Sequence, residues 1–242
     1  MSQEFLESKR QQINMFAQNN SPKSILDVFR EVRSNVGEPT TFYDFVGRTF
    51  LDNTEFYMSK LFKIYNKKIS KYLNPDELFE MEHHILKKHC LYQNERIITS
   101  FNGEIGVGSG KMVGRIYITN FRIILQGSSK SKGVPMVTQS IAGIAIDKAI
   151  QRSIIRSLQQ KLSELTAVEL PCFGNQYPMF GLEKIKLKGR QVNYRVFLET
   201  QQPNGKISKR RYAFQVRAYG DDGFNIAQLV YNTIMEADKA FN

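Results

Sequence analysis

One segment, residues 114–125, constrains the fold of this chain more than any other part of its sequence. Ile116 and Ile118 alternate with polar side chains, which is the period-two pattern of a strand with one buried face. A second run of β-branched and aromatic residues follows Thr119-Asn120. Both of these residues are common in turns because their side chains hydrogen-bond to nearby backbone. The pattern therefore predicts an antiparallel hairpin that turns at Thr119-Asn120.

The first 90 residues have a different, helical spacing of apolar side chains. Two helix starts are marked by a capping residue followed by proline, at Ser21-Pro22 and at Asn74-Pro75. We expect helices over residues 4–18, 22–35, 41–50, 53–73 and 75–89.

Beyond residue 94 the pattern changes to strands. We expect strands over residues 96–101, 103–107, 114–119, 121–125, 167–170, 182–187, 194–199 and 211–217, and a final amphipathic helix from about 222 to 241. A glycine-rich turn is expected between the first two of these strands, and the glycine cluster at residues 103–112 is expected to form a flexible loop joining strands. A helix is expected over about 140–165, between two of these strands. Its basic face is compatible with a helix that lies on a membrane surface or, more simply, with one that packs on its own domain. The fold class is therefore α+β.

The hairpin resembles a known one. Gly114, Ile116, Tyr117, Ile118, Thr119, Arg122 and Ile123 match the pattern G-x-(I/L)-Y-(I/L)-T-x-x-R-(I/L) of GRAM domains. These domains belong to the pleckstrin-homology-like (PH-like) superfold and mostly occur in membrane-associated proteins. The resemblance covers residues 92–242 only, and implies that a PH-like (GRAM) domain follows the N-terminal α-helical region, 1–90. That domain would be a seven-stranded bent β-sandwich with a helical insertion and a C-terminal capping helix.

Charge is distributed unevenly along the chain. The net charge is +11, but residues 1–90 contain 13 Lys and Arg against 12 Asp and Glu, whereas residues 91–242 contain 21 against 11. A basic domain favours anionic partners such as lipid head groups, nucleic acid or an acidic protein. The simpler interpretation is an ordinary solvated surface.

Nine basic residues are candidates for binding an anionic lipid. Lys184, Lys186 and Lys188 alternate with apolar residues, so a strand would place all three ammonium groups on one face. The full set, taken from loops and strands of the predicted β domain, is Lys111, Arg115, Lys130, Lys132, Lys184, Lys186, Lys188, Lys209 and Arg210. Within the hairpin, Arg115 and Arg122 are the two side chains expected to be able to reach a ligand.

Other kinds of site are poorly supported. The glycines near Lys111 lack the P-loop spacing, since Ile105 and Met112 stand where glycine and Ser/Thr are required. All three histidines lie between residues 83 and 89, and two are adjacent on one helix, which does not suit a metal site. Pro178 stands where a phosphatase loop beginning at Cys172 would need arginine. We therefore expect no catalytic residues, metal or cofactor.

These observations lead to one functional hypothesis and one alternative. The hypothesis is a non-enzymatic, cytoplasmic adaptor that binds anionic, phosphoinositide-like lipid head groups as a peripheral membrane protein. Its helical region would contact a protein partner or brace the β domain. The alternative is a scaffold of the GLUE or PH-like kind that binds ubiquitin or a trafficking partner without lipid. Nucleic acid is disfavoured because the basic strands lack exposed aromatics for base stacking. No apolar run approaches the ~20 residues of a membrane-spanning helix, no secretory signal is expected, and two cysteines suit a reducing compartment.

Overall fold

The computed structural model describes residues 2–52, 73–107, 110–126, 156–158, 160–161, 175–201 and 204–241. The chain divides into two compact units, Met1–Leu91 and Tyr92–Asn242. Several expected features lie outside the described residues: the helix at 53–73, the strand at 167–170, most of the helix at 140–165, and Lys130 and Lys132.

The first unit is helical. The helices in its described residues are α1 (Gln3–Gln18), α2 (Pro22–Asn35), α3 (Pro39–Asp52) and α4 (Pro75–Ile85), and α4 continues as a π-helical turn, Leu86–Cys90. The predicted start at Asn74 is confirmed: its side chain accepts the Glu77 N–H, and the Glu77 carboxylate accepts the Asn74 N–H. Ile13, Val32, Val46, Met81 and Leu86 are fully buried and form the core of this unit.

The described residues of the second unit form an antiparallel sheet of seven strands and a C-terminal helix. The strands are β1 (Ile97–Val107), β2 (Gly110–Thr119), β3 (Arg122–Gln126), β4 (Asn175–Pro178), β5 (Leu182–Lys188), β6 (Gln191–Gln201) and β7 (Ile207–Ala218), and the helix is α5 (Gly223–Phe241). Their order across the sheet is β4-β3-β2-β1-β7-β6-β5, and the sheet is open. The α+β class and the β2–β3 hairpin are therefore confirmed.

Two strand predictions need correction. Residues 97–107 form one strand, β1, rather than two strands separated by a glycine-rich turn. Gly103 lies inside β1, where a Cβ atom would come within 2.3 Å of the Arg217 carbonyl oxygen. A glycine at this position therefore allows the backbone of β7 to lie close to β1. Strand β4 was not predicted, because four residues ending in proline carry too little pattern.

The core of the second unit lies between α5 and one face of the sheet. Ala227, Val230, Ile234 and Ala237 of α5 are buried, as its predicted apolar face required. Alternation along β6 and β7 sends even-numbered residues such as Val196 and Phe214 into this core. Odd-numbered residues of β6 and β7 consequently lie on the opposite face, called here the outer face.

Candidate functional site

Arg122, which the sequence suggested could reach a ligand, is completely buried. Its Nε and Nη2 donate to the two carboxylate oxygens of Glu95, each at 2.9 Å, and neither side chain has exposed surface. Its Nη1 donates to Gln176 of β4, and its guanidinium lies 4.5 Å from the centre of the Tyr92 ring. The expectation for Arg122 is therefore wrong: this arginine forms an internal ion pair and does not contact solvent.

Thr119 and Asn120, the two turn residues of the hairpin, also form hydrogen bonds within the second unit. Thr119 Oγ1 accepts the Arg122 N–H at 2.9 Å and donates to Glu95 Oε1 at 2.7 Å. Asn120 Oδ1 accepts the Arg96 N–H at 2.7 Å, and its amide nitrogen donates to the Asn94 carbonyl at 3.0 Å. The conspicuous polar residues of the hairpin thus build the fold.

Four exposed cations lie together on the outer face, and we call them the cationic strip: Lys184, Lys186 and Lys188 of β5, and Arg195 of β6. Lys184 lies directly across from Arg195 in the β5–β6 pairing. No carboxylate of the described residues lies within 4 Å of any of the four. The strip is therefore a concentrated, uncompensated positive surface.

A shallow groove of about 340 Å³ runs beside the cationic strip. Lys184, Lys186 and Arg195 line it, together with Asn193 and Gln215. Its remaining lining includes Gly106 and Ala213, which contribute little or no side chain. The groove therefore exists because β1 and β7 carry small residues, Gly106 and Ala213, at these positions.

Two other candidates, Lys111 and Arg115, already have partners. Lys111 Nζ lies 3.2 Å from Glu104 Oε1, and Arg115 Nη2 donates to Ser100 Oγ at 3.0 Å. Both therefore contribute less to binding an external anion than the sequence suggested.

The last two candidates, Lys209 and Arg210, are separated by strand alternation. Lys209 lies across from Glu199 on the outer face and forms an ion pair with it at 2.6 Å. Arg210 lies across from Leu198, so it belongs to the opposite face. Only Lys184, Lys186 and Lys188 of the nine candidates are brought together by the described structure.

Glu104 offsets part of the positive charge on the neighbouring part of the outer face. Burial opposes its ionisation, but hydrogen bonds from Tyr219 and Lys111 outweigh burial and lower the pKa of Glu104. Burial and the same hydrogen bond raise the pKa of Tyr219 to about 12. An ionised Glu104 lies 3.9 Å from Arg217 as well, so one carboxylate is shared by two cations here, whereas the cationic strip has no carboxylate of the described residues within 4 Å.

The histidines belong to a separate cluster in the first unit. His84 and His89 are five residues apart, which an α-helix would place about 140° apart, but the π turn brings both to Asp44 Oδ1, at 2.8 and 3.2 Å. Burial opposes ionisation of Asp44, yet hydrogen bonds from Lys88 and both histidines lower its pKa to about 2. Burial lowers the pKa of His89, despite the nearby carboxylate. In the part of the chain that is described, no group of His, Cys, Asp or Glu side chains is arranged to hold a metal ion.

Sequence reasoning missed Arg195, Asn193 and Gln215. Arg195 stands alone among uncharged residues in the sequence, so a search for clusters of basic residues passes over it. Alternation with the buried Tyr194 and Val196 was the available signal, because it places Arg195 outward on the strand.

Comparison with models of known protein families and with curated protein sequences finds no match. Within the described ranges, none of the helices combines the length and apolar character needed to cross a bilayer.

Proposed function

We propose that the second unit is a PH-like domain of the GRAM kind that binds anionic lipid head groups through the cationic strip. The protein would then be a non-enzymatic adaptor at the cytoplasmic surface of a membrane. Seven antiparallel strands followed by a C-terminal helix support the PH-like assignment, as does the hairpin pattern of residues 114–125.

The cationic strip is the observation that carries this proposal. Lys184 and Arg195 are like charges directly opposite each other on neighbouring strands, an arrangement that costs folding free energy. An anionic partner would offset that cost, because each basic residue near an anionic bilayer contributes roughly 1 kcal/mol. Four such residues on one sheet face suit a flat, anionic surface.

Vesicle co-sedimentation tests the proposal. The full chain should sediment with phosphatidylcholine vesicles that contain phosphatidylserine or phosphoinositides, and remain in solution with phosphatidylcholine alone. Binding should weaken between low salt and about 0.15 M salt, because exposed charges are screened. Replacing Lys184, Lys186 and Lys188 with Glu should abolish sedimentation.

A matched control separates the strip from net charge. Lys23, Lys87 and Lys239 are exposed and lie outside the strip. Replacing these three with Glu changes the net charge equally and should leave most of the binding intact. Equal loss in both variants, or no sedimentation of the wild type with any anionic lipid, would contradict the proposal. The second outcome would favour the protein-interaction scaffold.

A further inference from the structure

The dipeptide Asn-Gly occurs twice in this sequence, at Asn102-Gly103 and at Asn204-Gly205. This dipeptide is prone to spontaneous deamidation, because glycine has no side chain to hinder attack of its backbone nitrogen on the preceding asparagine Cγ. The attack closes a five-membered succinimide ring. Closure requires rotation about the asparagine Cα–C bond, so the two copies should react according to how firmly the fold holds that part of the backbone.

The first copy, Asn102-Gly103, lies in the middle of strand β1, which has a neighbouring strand on each side. Gly103 pairs with Gly114 of β2 and with Ala218 of β7. The Asn102 carbonyl accepts the Tyr219 N–H at 3.0 Å, so the sheet holds the peptide bond that would have to rotate. Ring closure at Asn102 would therefore require β1 to separate from a neighbouring strand.

The second copy, Asn204-Gly205, lies in the exposed turn between β6 and β7. The pairing of these strands ends with Gln201 opposite Ile207, so both residues of the dipeptide lie outside the ladder. Gly205 has a φ of +78°, and a Cβ atom there would meet none of the described atoms within 4 Å. Backbone rotation at this turn therefore breaks no ladder hydrogen bond.

A hydrogen bond also positions the Asn204 side chain for ring closure. Its Oδ1 accepts the Lys206 N–H at 3.1 Å, which folds the side chain back over the turn. The loop of atoms closed by this bond contains both the Asn204 Cγ and the Gly205 nitrogen, the two atoms that must join. The same N–H would stabilise the negative charge that develops on Oδ1 during the attack.

We propose that Asn204 is a site of spontaneous deamidation in the folded protein, whereas the sheet protects Asn102. The Gly205 nitrogen loses its proton and bonds to the Asn204 Cγ, and the side-chain nitrogen leaves as ammonia. Water then adds to either carbonyl of the succinimide and opens it to aspartate or isoaspartate. The product has a carboxylate beside Lys206, so the turn loses one unit of positive charge. This inference goes beyond the proposed function and does not depend on it.

Incubation of the full chain at mildly alkaline pH, followed by peptide mapping with mass spectrometry, tests this inference. Asn204 should be converted at least about tenfold faster than Asn102, because reaction at Asn102 first requires local opening of the sheet. Chromatography should resolve two products from the peptide that contains residue 204, one with aspartate and one with isoaspartate, since both arise from the succinimide.

The same incubation in concentrated denaturant is the matched control. Both dipeptides should then react at similar rates, because the sheet that protects Asn102 is lost. Gly205→Ala should slow conversion of Asn204 several-fold, since a methyl group hinders the attack.

Three outcomes would overturn the proposal. The first is equal conversion of Asn102 and Asn204 in the folded protein. The second is no conversion of Asn204 in the folded protein over a period in which the denatured chain converts it. The third is an unchanged ratio of the two rates in denaturant, which would mean that neighbouring residues, rather than the fold, distinguish the two sites.

Discussion

At the scale of single residues, Arg122 shows that a residue can match a family's sequence pattern without being available to bind a ligand. The hairpin and its turn were predictable because they depend on neighbouring residues. The partners of Arg122 were not, because Glu95 lies 27 residues before it and Gln176 lies 54 residues after it. A charged residue in a motif can bind a ligand or form an ion pair in the core, and only its tertiary contacts show which of the two it does.

The buried ion pair gives the first prediction at this scale. Glu95→Gln leaves the Arg122 guanidinium buried without a counter-charge, so the free energy of unfolding should fall by about 3–5 kcal/mol. Urea unfolding of the full chain, following the transition of the second unit, measures this loss. Glu199→Gln, at the exposed pair with Lys209, should cost less than about 1 kcal/mol.

A double variant separates charge from packing at the same place. Replacing Glu95 with Leu and Arg122 with Met removes both charges together, and should recover much of the lost stability. Recovery of none of it would mean that the hydrogen bonds to Thr119 and Gln176, rather than the unpaired charge, account for the loss.

At the scale of elements, strand β5 was predicted nearly to its ends because its lysines alternate with apolar residues. Its neighbour β6 was also found, but the register between them was not predictable. Register determines that Lys184 meets Arg195, whereas Lys209 meets Glu199. Two residues of the same charge therefore face partners of opposite sign: Lys184 is repelled by Arg195, whereas Lys209 is attracted by Glu199.

This register predicts opposite effects on stability and on binding. Lys184→Glu should create an attractive pair with Arg195 and raise the free energy of unfolding by about 0.2–1 kcal/mol. The same change should weaken sedimentation with anionic vesicles at least several-fold, because two units of charge are lost from the strip. Denaturant unfolding and co-sedimentation of one protein preparation measure both effects.

Parallel losses of stability and binding in Lys184→Glu would indicate simple damage to the fold. The corresponding change at Lys209 is a useful comparison, because Lys209→Glu places two carboxylates opposite each other and should lower stability.

At the scale of the whole molecule, the excess positive charge belongs almost entirely to the second unit. The α+β class and the basic character of the later residues could be inferred from sequence, since composition and periodicity determine them. The position of the groove could not, because it depends on small residues from strands β1 and β7 meeting polar ones from β5 and β6.

The charge distribution leads to a prediction about the two units. Residues 92–242 produced alone should sediment with anionic vesicles as strongly as the full chain, and residues 1–91 alone should remain in solution. Circular dichroism establishes that each fragment is folded before the comparison. Sedimentation that requires both fragments, or that follows residues 1–91, would contradict the assignment of binding to the second unit.

The place of β5 at the end of the sheet has a consequence for self-association. Within the described sheet, β5 pairs only with β6, which leaves one backbone edge able to template another strand. Lysines on an edge strand resist such pairing through mutual repulsion, so Lys184, Lys186 and Lys188 would also keep the protein monomeric. Neutral replacements at these positions should therefore promote aggregation, whereas glutamates preserve repulsion between copies. If an anion neutralises the strip, the bound protein loses the same protection, and ligand binding would then lower the barrier to edge-to-edge assembly.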